Sequence, residues 1–339
     1  MKSVKFFTAF TLIIIITFLS ACKKKEDAAI AEPAPLALTP YQLYSPPYFP
    51  KLIIPSDNPL TVEGIALGRK LYYDTIISND NRACAQCHTA QYAFSNPAPN
   101  SLPHVNLAWN NKFLWRGAVE GQMEDIMASE VNSFFNTDVN KLNASLVYPA
   151  LFKKVFNSNT ITTKQAAYAL AQFIRTLSST NSKFDKYLRY EAMLTPSEMN
   201  GFVLYNTEKG DCFHCHSLGL FNDNAYHNNG IDSVFIGVNR GHYEVTVNSN
   251  DMGKFKTPTL RNVELTAPYM HDGRFATLEE VIEHYNSGVY HSPTLDPIFS
   301  KPNHLFGLQL TVQEKGDLVA FLKTLTDTSF TNNPAFAHP

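Results

Sequence analysis

Two short segments constrain this chain more than anything else in it: Cys84-Ala85-Gln86-Cys87-His88 and Cys212-Phe213-His214-Cys215-His216. Both read C-x-x-C-H, the attachment signature of c-type haem. On one helical turn, cysteines three apart point the same way and can form thioethers with the two haem vinyl groups, while the histidine that follows turns its ring to the iron. Two such matches arise by chance roughly once per million chains. A zinc site or a pair of redox dithiols is the competing reading, but neither needs the following histidine twice over. His214 lies inside the second motif and cannot easily take the axial role.

Around these motifs the pattern is helical. Thr-x-x-Glu capping boxes stand at Thr195/Glu198, Thr277/Glu280 and Thr311/Glu314, with Pro196 at the first position of the first helix. Ala166, Ala169, Leu170, Phe173, Ile174 and Leu177 recur at helical spacing, as do Leu318, Val319, Phe321, Leu322 and Leu325. No comparable strand alternation exists, so an all-α fold is expected, with long loops where Pro, Asn and Gly crowd residues 91–111 and 222–254. The layout repeats: LGRKLYYD at 67–74 and GFVLYNTE at 201–208 each lead into a C-x-x-C-H motif and later a closing helix. Two similar helical domains follow, 51–185 and 186–330, with 331–339 as a tail.

The fifth cysteine has another role. Lys2 and Lys5 precede an apolar run from Phe6 to Leu19, too short for a stable transmembrane helix but right for an export signal. The run ends in Leu19-Ser20-Ala21-Cys22, which resembles a bacterial lipobox, so residues 1–22 read as a lipoprotein signal and Cys22 as the lipid anchor. An ordinary signal with an incidental cysteine is the alternative. Residues 23–50, rich in Ala and Pro after a charged run, read as a tether. Export implies an oxidising compartment, the periplasmic face of the envelope. Composition adds an exclusion: with 28 basic against 30 acidic residues and no long basic run beyond Lys23-Lys24-Lys25, no nucleic-acid partner is expected.

Two covalent haems narrow function to electron transfer or haem redox catalysis. An iron closed by His/Met or His/His passes electrons, whereas an open position can bind peroxide or oxygen.

The remaining motifs carry a resemblance. C-A-Q-C-H followed by Phe94, then Asn100-Ser101-Leu102-Pro103, Phe113-Leu114-Trp115 and TPTLRNVELTAPYMHDGRFATLEE at 257–280 are similar to the bacterial di-haem cytochrome c peroxidase family, including its tryptophan-oxidising branch that matures methylamine dehydrogenase. The resemblance covers about residues 52–328. It implies two cytochrome-c-like domains, hydrogen peroxide reduced at the first haem (Cys84, Cys87, His88) and electrons entering through the second (Cys212, Cys215, His216). Trp115 matches the family tryptophan between the haems; a core tryptophan is the alternative. Asn100, Thr266 and Pro268 match a calcium site built from one side chain and two carbonyls, suited to a hard cation. Without the resemblance, Asn100 is a turn residue.

Three positions depart from the commonest family pattern. Where most members place a Met ligand on the second iron, seven residues after Leu278, this chain has Tyr285, as tryptophan-oxidising members do. A phenolate ligand stabilises oxidised iron; the bland alternative is a packed helix aromatic, and Met270 lies nearby in the Pro-Tyr-Met-His-Asp-Gly block. No histidine lies between His88 and Asn100, where the movable distal ligand is expected, and His104 comes after that Asn, so the first haem is expected to lack a closed His/His state. The family's Gln and Glu, ten and twenty residues after the tryptophan, are Asp125 and Phe135 here. Glu130 is the nearest replacement base, with Glu124 and Asp125 behind it; a solvated loop carboxylate is the bland reading of each.

The expectation is therefore a lipid-anchored di-haem peroxidase taking electrons from a small cytochrome c or copper protein in a transient encounter. Peroxide-driven oxidation of a partner protein's tryptophan and pure electron transfer are the alternatives. A homodimer is compatible with all three.

Overall fold

The computed structural model describes Met1, residues 37–300 and residues 307–339. The signal segment, Cys22 and the tether up to residue 36 lie outside the described residues. Every structural statement below concerns the unit Leu36–Pro339. Among the described residues no helix is long and apolar enough to cross a membrane.

The fold is largely helical, and its two halves are built alike. Helix Val62–Tyr73 begins where the Thr61 hydroxyl accepts from Gly64 N, with Glu63 in its first turn and Lys70 in its last, each complementing the helix dipole. It crosses helix Thr163–Arg175 at Gly68, where a Cβ would stand 1.9 Å from the Ala169 carbonyl oxygen. Only glycine lets the two backbones meet there. In the second half, helix Pro196–Tyr205 crosses helix Val312–Lys323 at Gly201, where a Cβ would stand 1.9 Å from the Asp317 carbonyl oxygen.

All three expected capping boxes form, at Thr195, Thr277 and Thr311. The periodic apolar positions of both closing helices are buried, from Ala166 to Leu177 and from Leu318 to Leu325. Phe173 and Phe321 are fully buried, each contributing about 1.5–3 kcal/mol relative to exposure. The all-α expectation changes in one respect: two short antiparallel ladders pair Lys112–Phe113 with Val119–Glu120 and Tyr226–His227 with Phe255–Lys256. Two-residue strands leave too little alternation to read.

Each half has its own apolar core, and a third cluster joins them through Phe49, Trp109 and Leu220. The described part of the segment expected to reach freely is placed, and so is the tail. Phe49 meets Trp109 edge to face at 4.9 Å, and Tyr48 OH donates to Asp185 at 2.8 Å, so residues 37–50 lie against the body. Residues 331–339 return to the first core: Phe336 is buried there, Tyr73 OH donates to its carbonyl at 2.6 Å, and Arg69 donates to the carbonyls of Pro334 and Ala337. Aromatic area available for burial outweighs the Ala and Pro content that suggested a tether. Beneath Phe49, fully buried Arg261 pairs with Asp185 at 2.9 and 3.0 Å and donates to Gly219 O, fixing the linker to the second half.

Candidate active site

Each C-x-x-C-H motif sits in a matched set of contacts. Tyr72 OH donates to the His88 carbonyl at 3.1 Å, and Tyr205 OH donates to that of His216. Phe94 and Phe221 both take positive φ, 57° and 55°, strained for an aromatic residue. The strain aims each carbonyl at a ring: His88 Nδ1 donates to Phe94 O and His216 Nδ1 to Phe221 O, both at 3.0 Å. With Nδ1–H spent on a carbonyl, Nε2 keeps its lone pair, as a metal ligand requires. Burial pulls both imidazoles down to about 4, so they are neutral at pH 7. None of the four motif cysteines is paired in a disulfide.

The first motif opens on a cavity of about 590 Å3 lined by Cys84, Cys87, His88, Glu130, Phe135 and Trp115 among others. The second opens on a smaller one, about 200 Å3, lined by Cys212, Cys215, His216, Met270 and Tyr285 among others. Two thiols, an imidazole with a free Nε2 and adjoining space are the donor set a covalent haem needs, and they are present twice. Tyr285 stacks on Phe299 at 5.8 Å, and its hydroxyl accepts from Asn229 Nδ2 at 3.3 Å; burial pushes the phenol up to about 12. The same amide lies 3.4 Å from Met270 Sδ, so both candidate ligands from the sequence reach this cavity.

The three acidic candidates separate clearly. Glu124 is buried and takes both guanidinium nitrogens of Arg175, plus Asn58 Nδ2 at 2.6 Å, which is a structural role. Asp125 is exposed and caps its own helix by accepting from Gln122 N at 2.6 Å. Glu130 alone lines the first cavity, at the start of the wide π-helical turn Glu130–Phe134, a distortion that often marks functional positions. Burial raises its carboxyl to about 7 against the opposing charge of Arg82. Phe135, at the family's Glu position, is buried on the same wall.

His104 lines the first cavity too, stacked on His88 at 3.6 Å with its Nδ1 3.3 Å from Tyr72 OH. Its backbone N–H donates to Phe94 O, as Leu260 N–H does to Phe221 O. The first half thus has an imidazole where the second has an aliphatic chain.

Trp115 and Asn100 line both cavities. Trp115 Nε1 donates to Asn100 O at 3.3 Å, and Asn100 Nδ2 donates to Met270 O at 2.9 Å. Thr266 and Pro268 share the second cavity's wall with Asn100, and a Cβ on Gly273 would stand 3.0 Å from Pro268 and 3.4 Å from the Asn100 amide. Sequence reasoning missed His227 and Lys256. His227 is held between Asp223 at 2.7 Å and Asp296 at 2.5 Å; burial opposes its charge, but the carboxylates hold it up to about 12. Lys256 is buried where the two cavities adjoin. Nothing in the local pattern around either residue marks it.

Relatives agree with this architecture. A model of the di-haem cytochrome c peroxidase family matches residues 62–193. The methylamine utilization protein MauG of Methylorubrum extorquens is 34% identical over 291 residues, covering 80% of each chain. The cytochrome-c peroxidase IdrP1 of Denitromonas iodatirespirans is 31% identical, covering 82% of this chain and 85% of its own. A solved MauG-like protein associated with microbial copper homeostasis superposes with a TM-score of 0.79 at 32% identity, over 88% of this chain and 99% of its own. The chain therefore belongs to the di-haem cytochrome c peroxidases, oxidoreductases acting on peroxide, a membership that implies two haem c groups.

Proposed function

We propose that this protein reduces hydrogen peroxide to water in the first cavity, with Glu130 carrying the proton and electrons arriving by way of the second cavity. In this reading Cys84, Cys87 and His88 hold one haem, Cys212, Cys215 and His216 the other, and the halves 51–185 and 186–330 are its two cytochrome-c-like domains. When bound, the haem irons supply the two electrons that the reduction of peroxide to two waters consumes, together with two protons. The chain's own groups supply the rest. Phe94 O and Phe221 O orient the two imidazoles so that Nε2 faces each cavity. The Glu130 carboxylate takes the proton from the inner peroxide oxygen and returns it to the departing one, a transfer efficient when the carrier titrates near the working pH. Trp115, on both cavity walls, is the aromatic link between them.

The observation that carries this reading is Glu130: of the three carboxyls at 124, 125 and 130, only it faces the first cavity. A second reading, peroxide-dependent oxidation of a tryptophan on a partner protein, is favoured by Tyr285 on the second cavity and by the likeness to MauG. The donor in the first reading is a small cytochrome or copper protein. A calcium ion held by Asn100 and the carbonyls of Thr266 and Pro268, and a lipid on Cys22 at the periplasmic face, complete the proposal.

Mixing the fully oxidised and fully reduced forms with peroxide, with and without a reduced donor, tests it. Rapid catalytic consumption of donor is the expected result. A persistent spectral change without donor turnover favours the second reading, and no reaction in either form leaves an electron-transfer cytochrome.

A further inference from the structure

Lys256 ends the second ladder with only 4% of its surface exposed. Its backbone N–H donates to Trp115 O at 2.9 Å, so the peptide group and not the ammonium makes this cross-link. An ammonium has three donors. One goes to Thr257 O at 2.9 Å, and among the described residues no carboxylate forms an ion pair with it. Asp223, the carboxylate whose charge favours it, is already held by His227 at 2.7 Å. Burial, abetted by Lys112, accordingly pulls the amine down to about 8. A buried cation without an anion is costly, and this one faces both cavities.

We propose that Lys256 is a shared carboxylate-binding residue, its ammonium pairing with propionate groups of both haems where the two cavities adjoin. The inference rests on the haem reading above. Each haem c brings two propionate carboxylates, and Lys256 brings two unspent donors on a wall common to both sites. Other cations nearby do not meet the requirement. His227 lines the second cavity, not the first, and both its ring nitrogens are spent on Asp223 and Asp296. Arg82 and Lys112 line the first but not the second; Arg82 pairs with Asp80 at 2.6 Å, and Lys112 lies over the Tyr226 ring at 4.4 Å. The consequence is electrostatic. Oxidised haem iron carries one more positive charge than reduced, so a cation close to both haems raises both potentials together.

The test is a redox titration of Lys256→Met and Lys256→Arg beside the unaltered protein, with haem content measured on each. A parent lacking two haems sinks the underlying reading and not merely this inference. With two haems present, Lys256→Met is expected to shift both midpoint potentials downward, while Lys256→Arg holds both near the parent values. A fall at one haem only, at neither, or an equal fall in the Arg variant overturns the shared charge. Should the Met variant not fold, the Arg variant still decides by resonance Raman: propionate bending bands displaced at both haems with potentials kept support the pairing, and unmoved bands overturn it.

Discussion

Replacing Glu130 with Gln keeps the side chain's shape and removes its titratable proton. The carboxyl sits on the wall of the first cavity and is raised from the ordinary 4.5 to about 7 by burial. A positioned base contributes roughly 10²–10⁴-fold to a proton-transfer step. The rate constant for reaction with peroxide, followed by stopped-flow absorbance, should therefore fall by about that factor in the variant. The pH profile supplies a second reading. Base function needs the carboxylate, so the parent rate should climb as pH rises through about 7 and then level, while the Gln variant stays flat and slow.

Stability moves the other way. Because the folded carboxyl binds its proton more tightly than the unfolded one, Glu130 costs nothing below about pH 4.5 and progressively destabilises the fold as pH rises to about 7. The gap corresponds to roughly 3 kcal/mol, and partial exposure reduces it to about 1–2 kcal/mol. Glu130→Gln should thus melt higher than the parent at pH 8 and alike at pH 4. A variant that reacts with peroxide at the parent rate and with the parent pH profile would refute the base. Equal melting at pH 8 would refute the burial argument beneath it.

Tyr285→Phe keeps the ring stacked on Phe299 and removes the hydroxyl that accepts from Asn229; it should change the electron paramagnetic spectrum of one haem, leave the other alone and cost less than about 1 kcal/mol in melting. His104→Leu writes into the first half the residue that Leu260 is in the second. Loss of the Tyr72 contact should cost about 1 kcal/mol, and the less polar wall should raise the midpoint potential of the first haem alone, read by the same redox titration. Gly68→Ala and Gly201→Ala each force a methyl onto a carbonyl oxygen across a helix crossing; each should cost about 1–3 kcal/mol in denaturant melts, and neutrality of either would contradict the close approach.

Much of this was legible in the sequence because it is local. A capping box needs four consecutive residues and a buried helix face needs one period, so Thr195, Thr277, Thr311 and the stripes at 166–177 and 318–325 could be read directly. What depends on helix phase or on distant partners could not. Glu124, Asp125 and Glu130 lie within seven residues and share one composition; the onset of the wide turn at Glu130 and a guanidinium fifty-one positions away decide which faces the cavity. Phe49 looks like part of a Pro-rich tether and Phe336 like part of a tail until Trp109 and the first core give them surfaces to cover. Lys256 is unremarkable in sequence, and only the meeting of two halves buries it.

The repeat itself points to which half does chemistry. Gly68 and Gly201, Tyr72 and Tyr205, Phe94 and Phe221, and Asn106 and Asn262 occupy matched positions with matched contacts, the two asparagines both at positive φ and donating backbone N–H to Leu177 O and Leu325 O. Contacts held in common can only serve what the halves have in common, which is to present an imidazole and two thiols to a cavity. Different tasks must come from the positions that differ. In the first half these are Glu130, able to exchange a proton near neutrality, and His104 stacked on His88. In the second they are Tyr285 and Met270, two side chains able to ligate iron on the cavity wall that His216 shares. A proton carrier is what peroxide cleavage requires, and a pocket that already offers further iron ligands favours passing electrons onward. The asymmetry therefore supports the proposal that peroxide reacts in the first half and that the second serves as the relay.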